Sequence, residues 1–182
     1  RRVIGENIAL SAVPSTGPAR VLVDPGHLGQ MLMNLSVNAR DAMPGGGTLV
    51  MSVEPSTGPA EPGRRAGRFI RISVADSGCG MDAATMTRIF EPFFTTKERG
   101  RGTGLGLATV HGLVTQAGGL IRVKSAPGQG TRFDLYFPAI DAPVDQPAVP
   151  ADAPAGSLRG TDTVLVVEDL EVIRLMARHA LA

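Results

Sequence analysis

The stretch DPGHLGQMLMNLSVNARDAM, residues 24–43, predicts one amphipathic helix with an unusual polar stripe. Asp24 is a suitable N-cap and Pro25 suits the first turn. Apolar residues recur at helical spacing: Leu28, Met31, Leu32 and Leu35. Beside them runs the polar stripe: Gln30, Asn34, Asn38 and Asp41. Solvated helix faces favour Lys and Glu over Asn, so this stripe indicates a ligand site, and amide oxygens suit a Mg²⁺ ion that also binds phosphate and water.

On both sides of this helix the sequence predicts strands that mix with further helices. The predicted strands are residues 7–13, 20–24, 48–54, 68–76, 120–126 and 131–137. A short helix is predicted near residues 83–90, and a second long one over 105–117. PGQG, residues 127–130, is a turn that joins the last two strands as an antiparallel hairpin. This order predicts an α/β sandwich rather than a doubly wound parallel sheet.

The second long helix is preceded by a glycine-rich loop in GRGTGLGLATV, residues 100–110. Glycines let a backbone approach a ligand closely, and a helix N-terminus attracts phosphate. The chain has no Gly-Lys dipeptide, which excludes a Walker A loop, and the glycine spacing differs from G-x-G-x-x-G. It also lacks H-R-D and D-F-G, the protein-kinase signatures. Taken alone, the loop is weak evidence for phosphate binding, and a flexible surface loop before a helix is the favoured interpretation.

In VADSGCGMD, residues 74–82, a strand ends at Asp76, and Gly78 and Gly80 permit a tight turn beside it. In a pocket this carboxylate would accept from the exocyclic amine of adenine and repel the carbonyl of guanine, which predicts ATP over GTP.

In IFEPFFTTKERG, residues 89–100, three of the six phenylalanines cluster ahead of Lys97. These aromatic residues are expected to anchor a mobile segment, roughly 95–102, whose lysine and backbone can close over phosphates.

Together these stretches resemble the catalytic ATP-binding domain of sensor histidine kinases. Four stretches match that family's N, G1, F and G2 boxes in order: LGQMLMNLSVNARDAM, DSGCG, FEPFF and GTGLGL. Its closing strands are matched by GQGTRFDLYFP, residues 128–138. The wider superfamily includes gyrase, Hsp90 and MutL. The resemblance implies the Bergerat fold, a two-layer α/β sandwich with a mixed, mostly antiparallel sheet and helices on one face.

The resemblance also implies roles for single residues. Asn38 resembles the Mg²⁺ ligand, and Asp76, in the turn with Gly78 and Gly80, resembles the carboxylate that reads adenine, with Thr131 nearby through water. The implied phosphate cradle comprises Gly102, Thr103, Gly104, Leu105, Gly106 and Leu107. Lys97 resembles a lid residue that reaches phosphate, and Asp41 is expected to line the nucleotide side of the helix.

Asn34, the candidate catalytic residue, stands where ATP-hydrolysing relatives place a glutamate. An amide cannot act as a general base on water, so ATP is expected to survive until transfer.

The predicted organisation has three parts. Residues 1–140 form the kinase catalytic domain, and residues 141–162 form a Pro/Ala-rich linker. Residues 163–182 resemble the start of a receiver domain, where Glu168 and Asp169 would bind Mg²⁺ only if the receiver were intact. The resemblance thus implies a hybrid histidine kinase as the parent.

Composition excludes several classes. The net charge of +1 gives no argument for nucleic acid or for contact with an anionic membrane, and no apolar run approaches the ~18 residues of a membrane span. A single cysteine, Cys79, excludes an internal disulfide and suits a cytoplasmic location. The chain begins without Met, as an excised fragment would.

None of the three histidines, His27, His111 and His179, has the neighbours of a phosphoacceptor. The fragment is therefore expected to bind ATP and Mg²⁺ as a monomer without autophosphorylating. Its expected partners are the dimerisation hairpin and the receiver domain of a homodimeric parent.

Three alternatives stay open: a degenerate ATP-binding regulatory module, an ATPase or chaperone of the superfamily, and a protein-serine kinase of this fold. Asn34 and the receiver-like tail count against the second, and the tail disfavours the third.

Overall fold

Five strands and three helices follow one another in the computed structural model, which describes residues 4–59, 67–97 and 102–140. They are β1 Ile8–Val13, α1 Pro25–Ala42, β2 Gly47–Ser56, β3 Phe69–Asp76, α2 Ala83–Met86, α3 Gly106–Gln116, β4 Leu120–Ser125 and β5 Thr131–Pro138. The predicted linker and receiver-like piece, with Glu168 and Asp169, lie outside the described residues.

The strands form one sheet in the order β1-β2-β3-β5-β4. β1 pairs with β2 in parallel, and the other three pairs are antiparallel. The predicted mixed, mostly antiparallel sheet and the closing hairpin of β4 and β5 are thereby confirmed. Asp76 at the end of β3 lies directly opposite Thr131 at the start of β5, so the register brings two predicted site residues together.

Helix α1 starts and stops where its sequence signals predict. The Asp24 side chain accepts a hydrogen bond from the His27 backbone N–H at 3.0 Å, and Pro25 begins the helix. The helix ends at Ala42, before Gly46, whose φ of 90° needs a residue without a side chain. These contacts fix the rotation of α1 and so the direction in which its polar stripe points.

The core lies between one face of the sheet and the two long helices. Alternate strand residues point to opposite faces, and the inward set is buried: Leu49, Ile72, Val74, Phe133, Leu135 and Phe137. The helices contribute Met31, Leu35 and Ala39 from α1 and Val110 and Val114 from α3. The opposite face carries the ion pairs Arg71–Glu54 and Arg132–Asp134. The two-layer sandwich with helices on one face is therefore confirmed.

Two predicted elements differ from the structure. Residues 20–24 form no strand and make one isolated bridge, Val21 to Ala139. Val21 and Val23 pack against the core while Leu22 is exposed, so this apolar run covers the core edge without extended pairing.

The short helix predicted near residues 83–90 ends at Met86. The Thr87 hydroxyl donates to the Ala84 carbonyl, and the Arg88 and Glu91 N–H groups bond three residues back, which replaces helix with turns.

No helix among the described residues is long and apolar enough to cross a bilayer.

Candidate nucleotide site

The site begins where the polar stripe of α1 meets the first turn of α3. The Asn34 Nδ2 donates to the Gly106 carbonyl at 3.3 Å. An ideal Cβ on Gly106 would lie 3.9 Å from the Asn38 Nδ2, so both asparagines face the start of α3. Gln30, the first residue of the predicted stripe, is exposed one turn before Asn34. The structure thus brings the glycine loop beside the amide stripe.

The N-terminus of α3 offers backbone donors to a ligand. Leu105, at the N-cap position, makes no side-chain capping hydrogen bond, so the first-turn N–H groups have no side-chain cap. Gly104 has a φ of 66°, and the Leu105 N–H is 3.3 Å from the Thr103 hydroxyl. The positive end of the α3 dipole therefore faces the α1 stripe, an arrangement that favours an anionic ligand between them.

Asp76 presents its carboxylate at the end of β3. Its Oδ1 accepts from the backbone N–H of Gly78 at 2.8 Å and of Thr131 at 3.2 Å. Among the described residues, every hydrogen bond to this carboxylate ends on Oδ1, which leaves Oδ2 for a ligand. Burial raises the pKa of Asp76 above its ordinary value, and the two N–H donors only partly oppose the rise. A half-buried acceptor with a fixed orientation suits recognition of one donor group.

The turn after Asp76 is packed so closely that glycine is required. A Cβ on Gly80, whose φ is 66°, would overlap the carbonyl oxygen of Ala126. A Cβ on Gly78 would lie 2.7 Å from that of Ala42, the last residue of α1. The Cys79 N–H donates to the Ala42 carbonyl at 3.0 Å. The turn therefore fixes Asp76 relative to both α1 and the β4–β5 turn.

Two residues of this region lie outside the sequence-based site. The Ser125 hydroxyl is 3.0 Å from that of Thr131 and accepts from the Met81 N–H at 2.9 Å. A Cβ on Gly130, whose φ is 73°, would overlap the Asp76 carbonyl. Gly130 belongs to the GQGT motif, from which its place beside the site could have been predicted. No sequence signal marks Ser125. Both residues line a cleft of about 350 Å³ beside Asp76 and Thr131.

The aromatic cluster anchors the predicted lid only in part. The Phe90 ring packs 5.0 Å from that of His111 on α3, and the Arg88 guanidinium lies 4.3 Å from the Phe94 ring centre. Phe93 is 74% exposed and has a φ of 66°, so its side chain does not contribute to the anchoring expected of the aromatic cluster. Its backbone N–H donates to the Gly104 carbonyl at 2.9 Å, which joins the start of the segment to the glycine loop. Residues 98–101 lie outside the described residues.

Lys97 reaches back to α1 from the far side of the site. Its Nζ lies 2.6 Å from the Asp41 Oδ2 and 3.4 Å from the Asn38 Oδ1. Arg40 binds the other oxygen of Asp41 through its Nε at 2.9 Å. Burial works to raise the pKa of Asp41, but the hydrogen bonds and charges of Lys97 and Arg40 together hold it below its ordinary value. Asp41 is therefore a charged member of the site.

The described residues contain no group of three His, Cys, Asp or Glu side chains that could hold a metal by themselves. The Asn38 Oδ1 nevertheless accepts from a cationic group, the Lys97 ammonium, so its oxygen already faces positive charge. One amide oxygen fits Mg²⁺ when the other ligands are phosphate and water. The residues present thus fit a metal that arrives with a nucleotide.

The sandwich, the amide stripe, the half-buried carboxylate and the glycine loop at an uncapped helix define an ATP-binding module. The chain belongs to the family described as histidine kinase-, DNA gyrase B- and HSP90-like ATPase, whose profile matches residues 23–141. Within that family it carries the catalytic ATP-binding domain of sensor histidine kinases.

Individual relatives agree with this placement. The chain is 38% identical over 192 residues to the sensor kinase CckA of Brucella abortus, covering 99% of this chain and 20% of CckA. It is 42% identical over 118 residues to the sensor histidine kinase ZraS of Escherichia coli K12, covering 65% of this chain and 23% of ZraS. The chain thus spans about a fifth of the length of these curated relatives.

Solved structures show the same fold. The mycobacterial sensor histidine kinase MprB matches with a TM-score of 0.57 and 27% identity, over 72% of this chain and 82% of that one. Full-length ShkA in complex with AMPPNP matches with a TM-score of 0.57 and 32% identity, over 75% of this chain and 27% of that one.

Proposed function

We propose that this domain binds ATP together with Mg²⁺ and donates the γ-phosphate to a histidine on a separate dimerisation hairpin of its parent protein. The observation that carries the proposal is the Asn34–Gly106 hydrogen bond, because it brings the amide stripe of α1 against the anion-attracting end of α3. The complex of the relative ShkA with AMPPNP supports a nucleotide as the ligand.

Each side of the site has one task in this proposal. The free Oδ2 of Asp76 accepts from the exocyclic amine of adenine, and the same oxygen repels the carbonyl of guanine. The first-turn N–H groups of α3, from Gly106 and Leu107, bind phosphate oxygens. Asn38 would hold the metal, which supplies charge neutralisation to the triphosphate when bound. The three contacts fix the nucleotide at its base, at its phosphates and between them.

Retention of ATP follows from the chemistry of Asn34. Its amide nitrogen donates to a backbone carbonyl, and an amide has no basic site that could take a proton from water. Phosphoryl transfer depends mainly on alignment and charge stabilisation, so the domain needs a nucleophile placed by a partner. His27 is exposed at the start of α1, and His111 packs against Phe90 on α3. Neither has the sequence neighbours of a phosphoacceptor, which supports an acceptor from another domain.

The parent protein that this proposal implies is a homodimeric, hybrid sensor kinase, either membrane-anchored or soluble, whose kinase domain lies in the cytoplasm and has the hairpin and a receiver domain as partners. This chain covers only about a fifth of the length of the curated relatives that it matches, which supports further domains in such a parent.

Calorimetric titration with ATP and GTP, each with and without Mg²⁺, tests the nucleotide site. Selective ATP binding that Mg²⁺ strengthens, without release of phosphate, is the expected result. Adding the parent's hairpin domain should then yield a phosphorylated histidine on the hairpin. ATP binding without any transfer to the hairpin would instead identify a degenerate regulatory module.

The variant Asn38→Ala tests the proposed metal ligand. Because the amide oxygen is the protein's proposed contribution to the ion, this variant should bind ATP with little dependence on Mg²⁺. An undiminished strengthening by Mg²⁺ would contradict the assignment of Asn38.

A further inference from the structure

A lysine occupies the metal side of the proposed site. The Lys97 Nζ lies 2.6 Å from the Asp41 Oδ2 and 3.4 Å from the Asn38 Oδ1. The side chains of Lys97 and Asp41 are 32% and 25% exposed, so their charges are only partly screened by water. The positive charge of Lys97 therefore already lies beside the Asn38 Oδ1, the oxygen that is proposed to bind a divalent ion.

Contacts on both sides hold Lys97 in this position. The Lys97 stem packs against Gly102, where an ideal Cβ would lie 3.1 Å from the lysine Cδ. Asp41 is itself held, because its Oδ1 accepts from Arg40 while its Oδ2 faces Lys97. The lysine thus binds a carboxylate whose orientation is fixed.

We propose that Lys97 is an internal substitute for the divalent cation, neutralising Asp41 and occupying the metal side of Asn38 until a metal–nucleotide complex displaces it. Asp41 is the positioning residue of this arrangement. The inference rests on the proposed function in one respect, that Asn38 is the metal ligand. Two cations at one amide oxygen repel each other, so the lysine contact and metal binding oppose each other reciprocally.

This arrangement distinguishes metal-bound from metal-free nucleotide. The ammonium attracts the phosphates of metal-free ATP but must leave Asn38 when the ion binds. Removing the lysine should therefore weaken binding of metal-free ATP and facilitate binding of the metal. A lysine that only contacted phosphate would weaken both forms of the nucleotide alike.

The experiment compares Lys97→Met with the wild type, with Arg40→Met as the matched control. Arg40→Met removes a cation from the other oxygen of the same carboxylate. The first measurement is the ratio of the Kd for ATP in the presence of EDTA to the Kd with Mg²⁺. This ratio should rise roughly tenfold in Lys97→Met and stay close to the wild-type value in Arg40→Met.

The second measurement uses Mn²⁺ alone, without nucleotide, and follows binding by water-proton relaxation. Mn²⁺ should bind several-fold more tightly to Lys97→Met than to the wild type, since the Asp41 Oδ2 then faces no lysine, while Arg40 still binds Oδ1. Lys97→Gln replaces Lys97→Met if circular dichroism shows that the methionine variant is unfolded.

Unchanged Mn²⁺ affinity in the folded lysine variant overturns the inference, as does an unchanged or smaller ATP ratio. A wild-type domain that binds no ATP would refute the proposed function, and the Mn²⁺ measurement would then decide the inference by itself.

Discussion

Asn34 and Gly106 are 72 positions apart in the chain, yet the amide of one donates to the carbonyl of the other at 3.3 Å. This bond joins the middle of α1 to the first turn of α3. In ATP-hydrolysing members of the superfamily, a glutamate is expected at the position of Asn34. A carboxylate cannot donate to a carbonyl, so in the proposed function this position stabilises the first turn of α3, where phosphate is proposed to bind, instead of activating water.

Replacing Asn34 with Asp should weaken ATP binding. The variant loses the donor to Gly106 and places a negative charge beside the phosphates, so the affinity should fall by roughly tenfold, near the loss of one partly buried hydrogen bond. Calorimetry measures the change. Gln30→Glu is the matched control, because it adds one negative charge at an exposed position one turn earlier on the same helix. Equal losses in the two variants would mean that charge alone is responsible.

Replacing Asp76 with Asn should reduce ATP affinity by at least about tenfold, because an amide nitrogen would face the exocyclic amine of adenine with two donors and no acceptor. Thermal unfolding should change little, since the amide oxygen can still accept from Gly78 and Thr131. Glu54→Gln, on the opposite face of the sheet, is the charge-matched control and should bind ATP as the wild type does. Undiminished ATP affinity in Asp76→Asn would remove the adenine assignment.

The raised pKa of Asp76 predicts a pH dependence of stability with a definite sign. The folded protein binds this proton more tightly than the unfolded chain, whose carboxyl titrates near 3.8. The stabilisation that this tighter proton binding gives to the folded protein is therefore fully present below pH 3.8. It is lost as the pH rises through the higher folded-state pKa. Asp76→Asn removes this dependence.

Urea denaturation of both proteins between about pH 3 and 7 gives the measurement. The free energy of unfolding of the wild type, relative to Asp76→Asn, should fall with rising pH across this window. A difference that increases with pH would show that the backbone donors outweigh burial.

Gly80 and Gly128 offer a matched pair of glycines. Both have a positive φ, 66° and 73°, but a Cβ on Gly80 would overlap the Ala126 carbonyl, whereas nothing lies within 4 Å of a Cβ on Gly128. Alanine at Gly128 should cost about 1–2 kcal/mol of unfolding free energy, from backbone strain alone. Alanine at Gly80 should cost more and should also weaken ATP binding, because the turn that orients Asp76 has to move.

Denaturation and calorimetry of the two alanine variants check this prediction. Equal effects of the two substitutions would contradict the close packing of the turn.

Local signals explain why much of the fold was predictable. Asp24 and Pro25 mark the start of α1, and period-two alternation marks the strands from β2 to β5. The apolar run at residues 20–24 misleads, because Val21 and Val23 pack on the core edge but the backbone makes only one isolated bridge. Periodicity reports which side chains are buried, and it does not report whether a neighbouring strand is available.

The sequence predicts the candidate site as a set of residues but not as a set of contacts. The motifs place Asn38, Asp76 and the glycines in one site, because the resemblance supplies their roles. The Lys97–Asp41 ion pair joins residues 56 positions apart, and Ser125 bonds to Met81 across 44. Such contacts depend on how elements dock, which no local pattern encodes.

The Phe93–Gly104 hydrogen bond has a consequence for the evolution and engineering of this domain. It joins two described residues that are eleven positions apart, so Phe93 and Gly104 are held together whatever length of chain connects Lys97 to Gly102. Closing a loop of twice the length costs only about 0.6 kcal/mol in entropy. A peptide tag or a reporter domain inserted between Lys97 and Gly102 should therefore leave the sheet, the Asp76 carboxylate and the N-terminus of α3 in place.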